Sequence, residues 1–160
     1  MGLGIYLGDE RVGQWSYSGF FAFRKRLAEA AGIDLSKMEG YFAFDMEQAI
    51  RSGDWNLKLL EDKKCSKIAW STIADPIVPL LSHSDSEGII PPEVCATVAP
   101  RLRELIKDWP KTVTIRPTKE WVNQGYAEEM TFPEHDKVQG DSLADGMEEA
   151  AKQGKRLEFH

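Results

Sequence analysis

Apolar residues recur at two spacings along this chain, and those spacings predict its elements. Near the start, Ile5 and Leu7 alternate with Gly4 and Tyr6, the period-two signal of a short strand over 2–7. Phe20, Phe23, Leu27 and Ala31 then repeat at intervals of three and four. That predicts a helix over 19–31, capped by Ser18 and ended by Gly32. Phe21 leaves the stripe and is expected at the surface. Further on, Asp75 and Pro76 mark a helix start, because proline at the first helical position forfeits no hydrogen bond. Ile77, Val78, Leu80 and Leu81 make this helix, over 76–82, too apolar for a surface position.

The polar run 82–91 predicts a loop, and Pro92 opens the most amphipathic stretch of the chain. Cys95, Val98, Ala99, Leu102, Leu105, Ile106 and Trp109 share one face of a helix over 92–108. Pro100 should kink it, and Pro110 stops it. A last helix over 135–153 places Val138, Leu143, Met147 and Ala150 on one face, with Gly140 and Gly146 as weak points and Gly154 at its end. Leu157 to Phe159 read as a terminal strand, expected to pair with the first because isolated short strands need partners. Two stretches carry less pattern. Segment 111–132, with its VTIRP run, reads as an extended excursion, and 33–70 holds a short helix at 47–51 and either helix or strand at 57–60. The whole predicts a single α+β domain over 1–160, helix-rich, with a small antiparallel sheet including both chain ends.

Composition narrows the function classes. The chain has 160 residues, 42% of them hydrophobic, enough for a core without metal or disulfide staples. Lys and Arg total 20 against 26 for Asp and Glu, a formal charge of −6. An acidic balance favours solubility and argues against general nucleic-acid binding, which needs a cationic field. No apolar run approaches the roughly 20 residues that span a bilayer. The opening, Met1 to Gly8, lacks the basic and apolar layout of a signal peptide. A cytoplasmic chain follows as the expectation, with Cys65 and Cys95 as reduced thiols.

Candidate chemistry concentrates in four places. Residues 83–94, HSDSEGIIPPEV, partly match a calcium-binding EF-hand loop. With Gly88 at its sixth position, Asp85 and Glu87 stand at the third and fifth and Ile90 at the eighth. His83 and Val94 occupy the positions where the strongest carboxylate ligands belong, so the more economical reading is a turn held by Ser84 or Asp85. A divalent metal at this loop is the one cofactor the sequence suggests. His83 and Asp85 with His135 and Asp136 would make a hydrolytic metal site if the two segments met. Cys95 lies on an apolar stripe and reads as inert core, whereas Cys65 stands among Lys63, Lys64 and Lys67. The segment around Tyr17, Phe20, Phe23 and Arg24–Arg26 offers aromatics and cations, although helical spacing favours core phenylalanines with a solvated basic face. Trp15, Tyr17 and Arg24 are the residues expected to line a pocket for an anionic or nucleotide-like ligand, by stacking and phosphate pairing. Trp55 and Trp121 also fall in expected loops.

One longer pattern remains. Residues 75–110, DPIVPLLSHSDSEGIIPPEVCATVAPRLRELIKDWP, together with MGLGIY at the start, YSGFFAFRKRLAEAAGIDL at 17–35 and LADGMEEAAKQGKRLEF near the end, resemble a group of small proteins of bacterial and phage genomes for which no activity is established. The resemblance carries no site residue. Members tend to have Asp at the position of Glu87 and a second acid near Glu93, which weakens a shared metal role in this chain. What it implies is context, a phage-associated accessory protein. The expected function is therefore non-catalytic binding that inhibits a host macromolecule, with the acidic residues from Glu128 to Glu149 meeting a cationic host protein surface. A protein that sequesters a small anionic ligand, and a metal-dependent hydrolase using the His/Asp set, are the alternatives.

Overall fold

The computed structural model describes residues 2–41 and 68–160. The expected elements at 47–51 and 57–60, and Cys65, Trp55 and Lys63, Lys64 and Lys67, lie outside the described residues. Strands β1 (Gly2–Leu7) and β2 (Glu10–Ser16) open the chain, followed by helix α1 (Tyr17–Ala30). Two single 3-10 turns, Leu35–Lys37 and Trp70–Thr72, precede the short helix α2 (Val78–Leu81). Strand β3 (Gly88–Ile90) leads into α3 (Pro92–Ile106). Then come β4 (Thr112–Ile115), α4 (Lys119–Asn123) and β5 (Met130–Pro133). Helix α5 (His135–Gln153) and strand β6 (Leu157–Phe159) close the chain.

The fold is α+β. One antiparallel sheet runs in the order β2-β1-β6-β3, so both chain ends pair, with Ile5 opposite Phe159 and Tyr6 opposite Glu158. Leu3, Ile5, Leu157 and Phe159 point from the sheet into the core. The helices supply Phe20, Phe23 and Leu27 from α1, Val98, Leu102 and Ile106 from α3, and Leu143, Met147 and Ala150 from α5, all buried. Leu105 is only half-buried at the edge of this cluster.

Local signals explain most boundaries, and three of them differ from expectation. Helix α1 starts two residues early because Ser16, rather than Ser18, accepts the Gly19 amide at 3.0 Å. It ends as expected at Gly32, whose φ of +74° lets the Gly32 and Ile33 amides reach back to Glu29 and Ala28. Strand β2 lies where the sequence predicts no element. A register shift between Ile5 and Tyr6 buries the neighbours Val12 and Gly13 together, so its sequence never shows clean alternation. Strand β3 sits inside the expected loop 82–91, where its pairing with β6 comes from tertiary contact. Helix α3 continues through Pro100, which lies on the exposed side; the freed Ala96 carbonyl therefore stands near water.

Candidate functional site

Arg24 was expected on a solvated or ligand-facing side of α1, but it is buried, only 3% exposed. Its guanidinium Nη1 donates to the His83 carbonyl, and its Nη2 lies 3.3 Å from an Asp85 carboxylate oxygen. Its plane sits over the Phe20 ring at 4.8 Å and the Tyr41 ring at 5.2 Å. Its Nε has no hydrogen-bond partner among the described residues. Burial pulls this guanidinium below its ordinary pKa, against the opposing influence of Tyr41 and Asp85. The same burial pushes the Tyr41 hydroxyl up to about 12, so it stays protonated and donates to the Leu81 carbonyl.

The loop these groups hold is tightly built. The His83 ring packs on Phe159 with centroids 4.0 Å apart, and its Nδ1 is 2.8 Å from the Ser84 carbonyl. Burial lowers the pKa of His83. Gly88, at φ +143°, passes so close that an added Cβ would stand 2.7 Å from the imidazole. Only glycine tolerates both that backbone and that approach. Ser84 Oγ accepts the amides of Ser86 and Glu87 at 3.3 and 3.4 Å, the turn chemistry foreseen for this segment.

A second cluster lies where α5 begins. Trp15 is 1% exposed and packs on Phe20 and Phe23, and its indole N–H donates to Asp136 at 3.1 Å. Arg26 Nη1 reaches both Glu134 and Asp136 at 2.8 Å, while its guanidinium stacks 3.9 Å above the Trp109 ring. Trp109 is the residue before Pro110 and Glu134 the residue after β5. Arg26 therefore ties together the two ends of the excursion 110–133, and the Glu134 amide donating to the Lys111 carbonyl at 2.9 Å closes its base.

Beyond that root the excursion is an antiparallel ribbon. Val113 opposes Phe132 and Ile115 opposes Met130, so these four side chains share one face. Val113, Ile115 and Phe132 are exposed, at 43, 48 and 44%. Trp121 and Tyr126, whose rings meet at a tilt with centroids 5.3 Å apart, are exposed at 53 and 52%. Thr114 and Thr131 meet across the other face, Oγ to Oγ at 3.2 Å.

The residues read from sequence are thus divided among separate places. Trp15, Tyr17 and Arg24 do not line one open pocket. The Trp15 indole is consumed by the core, Arg24 lies beneath the 83–88 loop, and only Tyr17 is exposed. His83 and Asp85 engage Phe159 and Arg24, while His135 is exposed beside Trp15 and Asp136 serves Trp15 and Arg26. Glu87 is exposed. Among the described residues, no group of three or more His, Cys, Asp and Glu side chains is gathered so as to hold a metal ion. Cys95 is buried and its thiol is pushed up to about 11 by burial, which disfavours the reactive thiolate.

The acidic run is also partly spent internally. Glu129 pairs with Arg116, Asp141 with Lys137, and Asp145 and Glu148 with Arg103. Sequence reasoning missed Tyr41, Arg26 and Trp109 as organising residues, since nothing local marks an arginine that bridges segments 108 and 110 residues apart. An open groove of about 550 Å³ lies at the other edge, lined by Ile89, Pro92, Glu93, Lys155, Arg156 and Glu158 among others. Its two cations are matched by two carboxylates, one of them the Arg156 partner Glu158. No helix among the described residues is long and apolar enough to cross a membrane. No family model matches the chain, and neither a curated protein nor a solved structure is significantly similar to it.

Proposed function

We propose that this chain is a non-catalytic binding protein whose β4–β5 ribbon docks onto a partner protein. The observation that supports it is an apolar face displayed on a fixed root. Val113, Ile115 and Phe132 remain exposed together, while Arg26, Trp109 and Glu134 lock the base to the body. Exposed apolar area forgoes about 25 cal/mol per Å² that burial would return, and a contiguous patch of this kind marks interaction surfaces. A protein is the favoured partner over nucleic acid. Residues 111–134 carry three cations, Lys111, Arg116 and Lys119, against four glutamates, which leaves no positive field for phosphates. Inhibition of a host macromolecule by occupancy, the role implied by the resemblance to phage proteins, needs no more than such a surface.

The test uses a photo-crosslinking residue in place of Ile115 to trap the partner in host cells, followed by calorimetry with that partner purified. Ile115→Asp and Val113→Asp should each weaken binding at least a hundredfold while the unfolding midpoint hardly moves. Binding that survives both substitutions would rule out the ribbon as the docking surface.

A further inference from the structure

A second site is suggested by what Arg24 lacks, and it does not depend on the ribbon. A guanidinium carries five N–H donors in a planar fork. One side of this fork is used, since Nη1 donates to the His83 carbonyl. The rings of Phe20 and Tyr41 lie against the guanidinium, 4.8 and 5.2 Å from its central carbon, and offer no in-plane acceptor. What remains is the Nε–Nη2 edge. Among the described residues its companion is Asp85, 3.3 Å from Nη2, longer than the roughly 2.7–2.9 Å of a well-formed charged hydrogen bond. Nε itself is buried and has no hydrogen-bond partner among the described residues. That edge is the one that carboxylates and phosphates grip with two oxygens at once.

We propose that Arg24 and the 83–88 loop form a binding site for a small oxyanion, which takes the Nε–Nη2 edge and displaces Asp85 into solvent. Three features of the site suit this exchange. Asp85 is half exposed, at 51% of its side chain, so it can turn outward into water, and a pair with one partner at the surface holds weakly. The loop beneath it is braced independently of Asp85, by Ser84 Oγ on two amides and by His83 against Phe159. The guanidinium is already stripped of water and fixed by its two rings, so a ligand gains a pre-oriented donor pair. In the unliganded protein Asp85 acts as an internal substitute for that ligand. Its own carboxylate sets the expected chemistry: two oxygens in one plane, as in a carboxylate, with phosphate or sulfate as the tetrahedral equivalents.

The experiment follows the Arg24 Nε–H signal and the Ser84–Gly88 amide signals of the full chain by ¹⁵N NMR. Sodium acetate and inorganic phosphate are titrated separately against sodium chloride at matched ionic strength. A saturable shift with acetate or with phosphate, absent with chloride, is the expected result, and the anion that saturates first identifies the class. Asp85→Asn, which removes the internal competitor and keeps its shape, should tighten that anion at least tenfold. Arg24→Lys keeps a charge but loses the fork, and should abolish the saturable shift of the loop amides. The wild-type and Asp85→Asn arms decide the matter even if the Arg24 variant fails to fold. No saturable shift in either protein would overturn the proposal, since a water molecule would then suffice at Nε. Equal affinity in both would overturn it too, because Asp85 would not be occupying the site.

Discussion

The seam between α5 and its neighbours and the β4–β5 ribbon are both built from apolar residues, yet they treat them in opposite ways. Along the seam, backbones approach until side chains must vanish. A Cβ on Gly146 would lie 2.5 Å from the Val12 Cβ, and one on Gly140 would lie 3.0 Å from Ile106 Cδ1. In the ribbon, Val113, Ile115 and Phe132 stand about half in water, paired across the strands with Phe132, Met130 and Val113 respectively. The first arrangement gains stability from close packing; the second keeps its apolar area unspent. The root residues Arg26 and Trp109 are where one regime passes into the other. The contrast teaches that apolar content alone does not tell core from contact surface; what an element leans against does.

The largest effect should come from the packed side. Leu102 of α3 is wholly buried, and Leu102→Ala should cost about 2–5 kcal/mol by lost transfer energy and the cavity left behind. Urea unfolding measures it directly, and a cost below about 1 kcal/mol would mean that this seam is not close-packed. Gly146→Ala comes next. Alanine favours the helix by up to about 1 kcal/mol, but overpacking a filled core costs typically about 1–3 kcal/mol. The clash should win, because the obstructing atom is the Val12 Cβ, which no rotamer can move. Stabilisation by this substitution would break the comparison at its tightest point.

These glycines also show how far the sequence could be read. Helix α5 was legible from Leu143, Met147 and Ala150, but its glycines looked like weaknesses because one chain cannot reveal what crosses it. Val138, counted on the same face, proves exposed at 45%, since five residues at 3.6 per turn set it about 140° round the helix from Leu143. The pairing of the chain ends was legible because short apolar strands have few other options. Strand β2 was not, since the shift at Ile5/Tyr6 breaks its alternation. Arg24 was read as one of three consecutive basic residues, and its neighbour Lys25 is indeed exposed. The aromatic slot that buries Arg24 is completed by Tyr41, which no local pattern links to α1. Site residues in this protein are thus defined by contacts between distant segments, the part of the structure that spacing along the chain records least.

A smaller effect separates the 83–88 loop from the ribbon by pH. Burial holds the folded pKa of His83 below its unfolded value, which lies near about 6.5. The neutral ring is therefore the form the folded state favours. Its contribution is fully present above the unfolded pKa and is lost as pH falls through that value toward the folded one. Urea midpoints should accordingly decline between about pH 7 and pH 5. His83→Gln should flatten this part of the profile, whereas substitutions in the ribbon should leave its slope unchanged. Below about pH 4 a further decline is expected as Asp75 and Glu148 protonate, since their hydrogen bonds from Arg101 and Arg103 hold both below the usual carboxylate range. An equal slope in the His83→Gln variant would show that the buried imidazole is not the titrating group.

The smallest effect belongs to the ribbon and tests the other half of the comparison. Ile115 is 48% exposed, and its cross-strand neighbour is Met130. Ile115→Thr keeps the β-branched shape that suits a strand and removes little buried area. Its cost should stay within about 0.5 kcal/mol, the range of ordinary surface substitutions. Stability alone would not show that the ribbon behaves as a separate unit, so hydrogen exchange supplies the second reading. Amides of β4 and β5 should exchange through a local opening of lower free energy than those of β1 and β6, because none of the buried core residues described lies on the ribbon. Ile115→Thr should accelerate the ribbon amides and leave those of β1 and β6 unchanged. If β4, β5 and the central sheet instead slowed and quickened together, the ribbon would be part of the same cooperative unit as the core. Its exposed face would then contribute to global stability rather than stand in reserve for a partner.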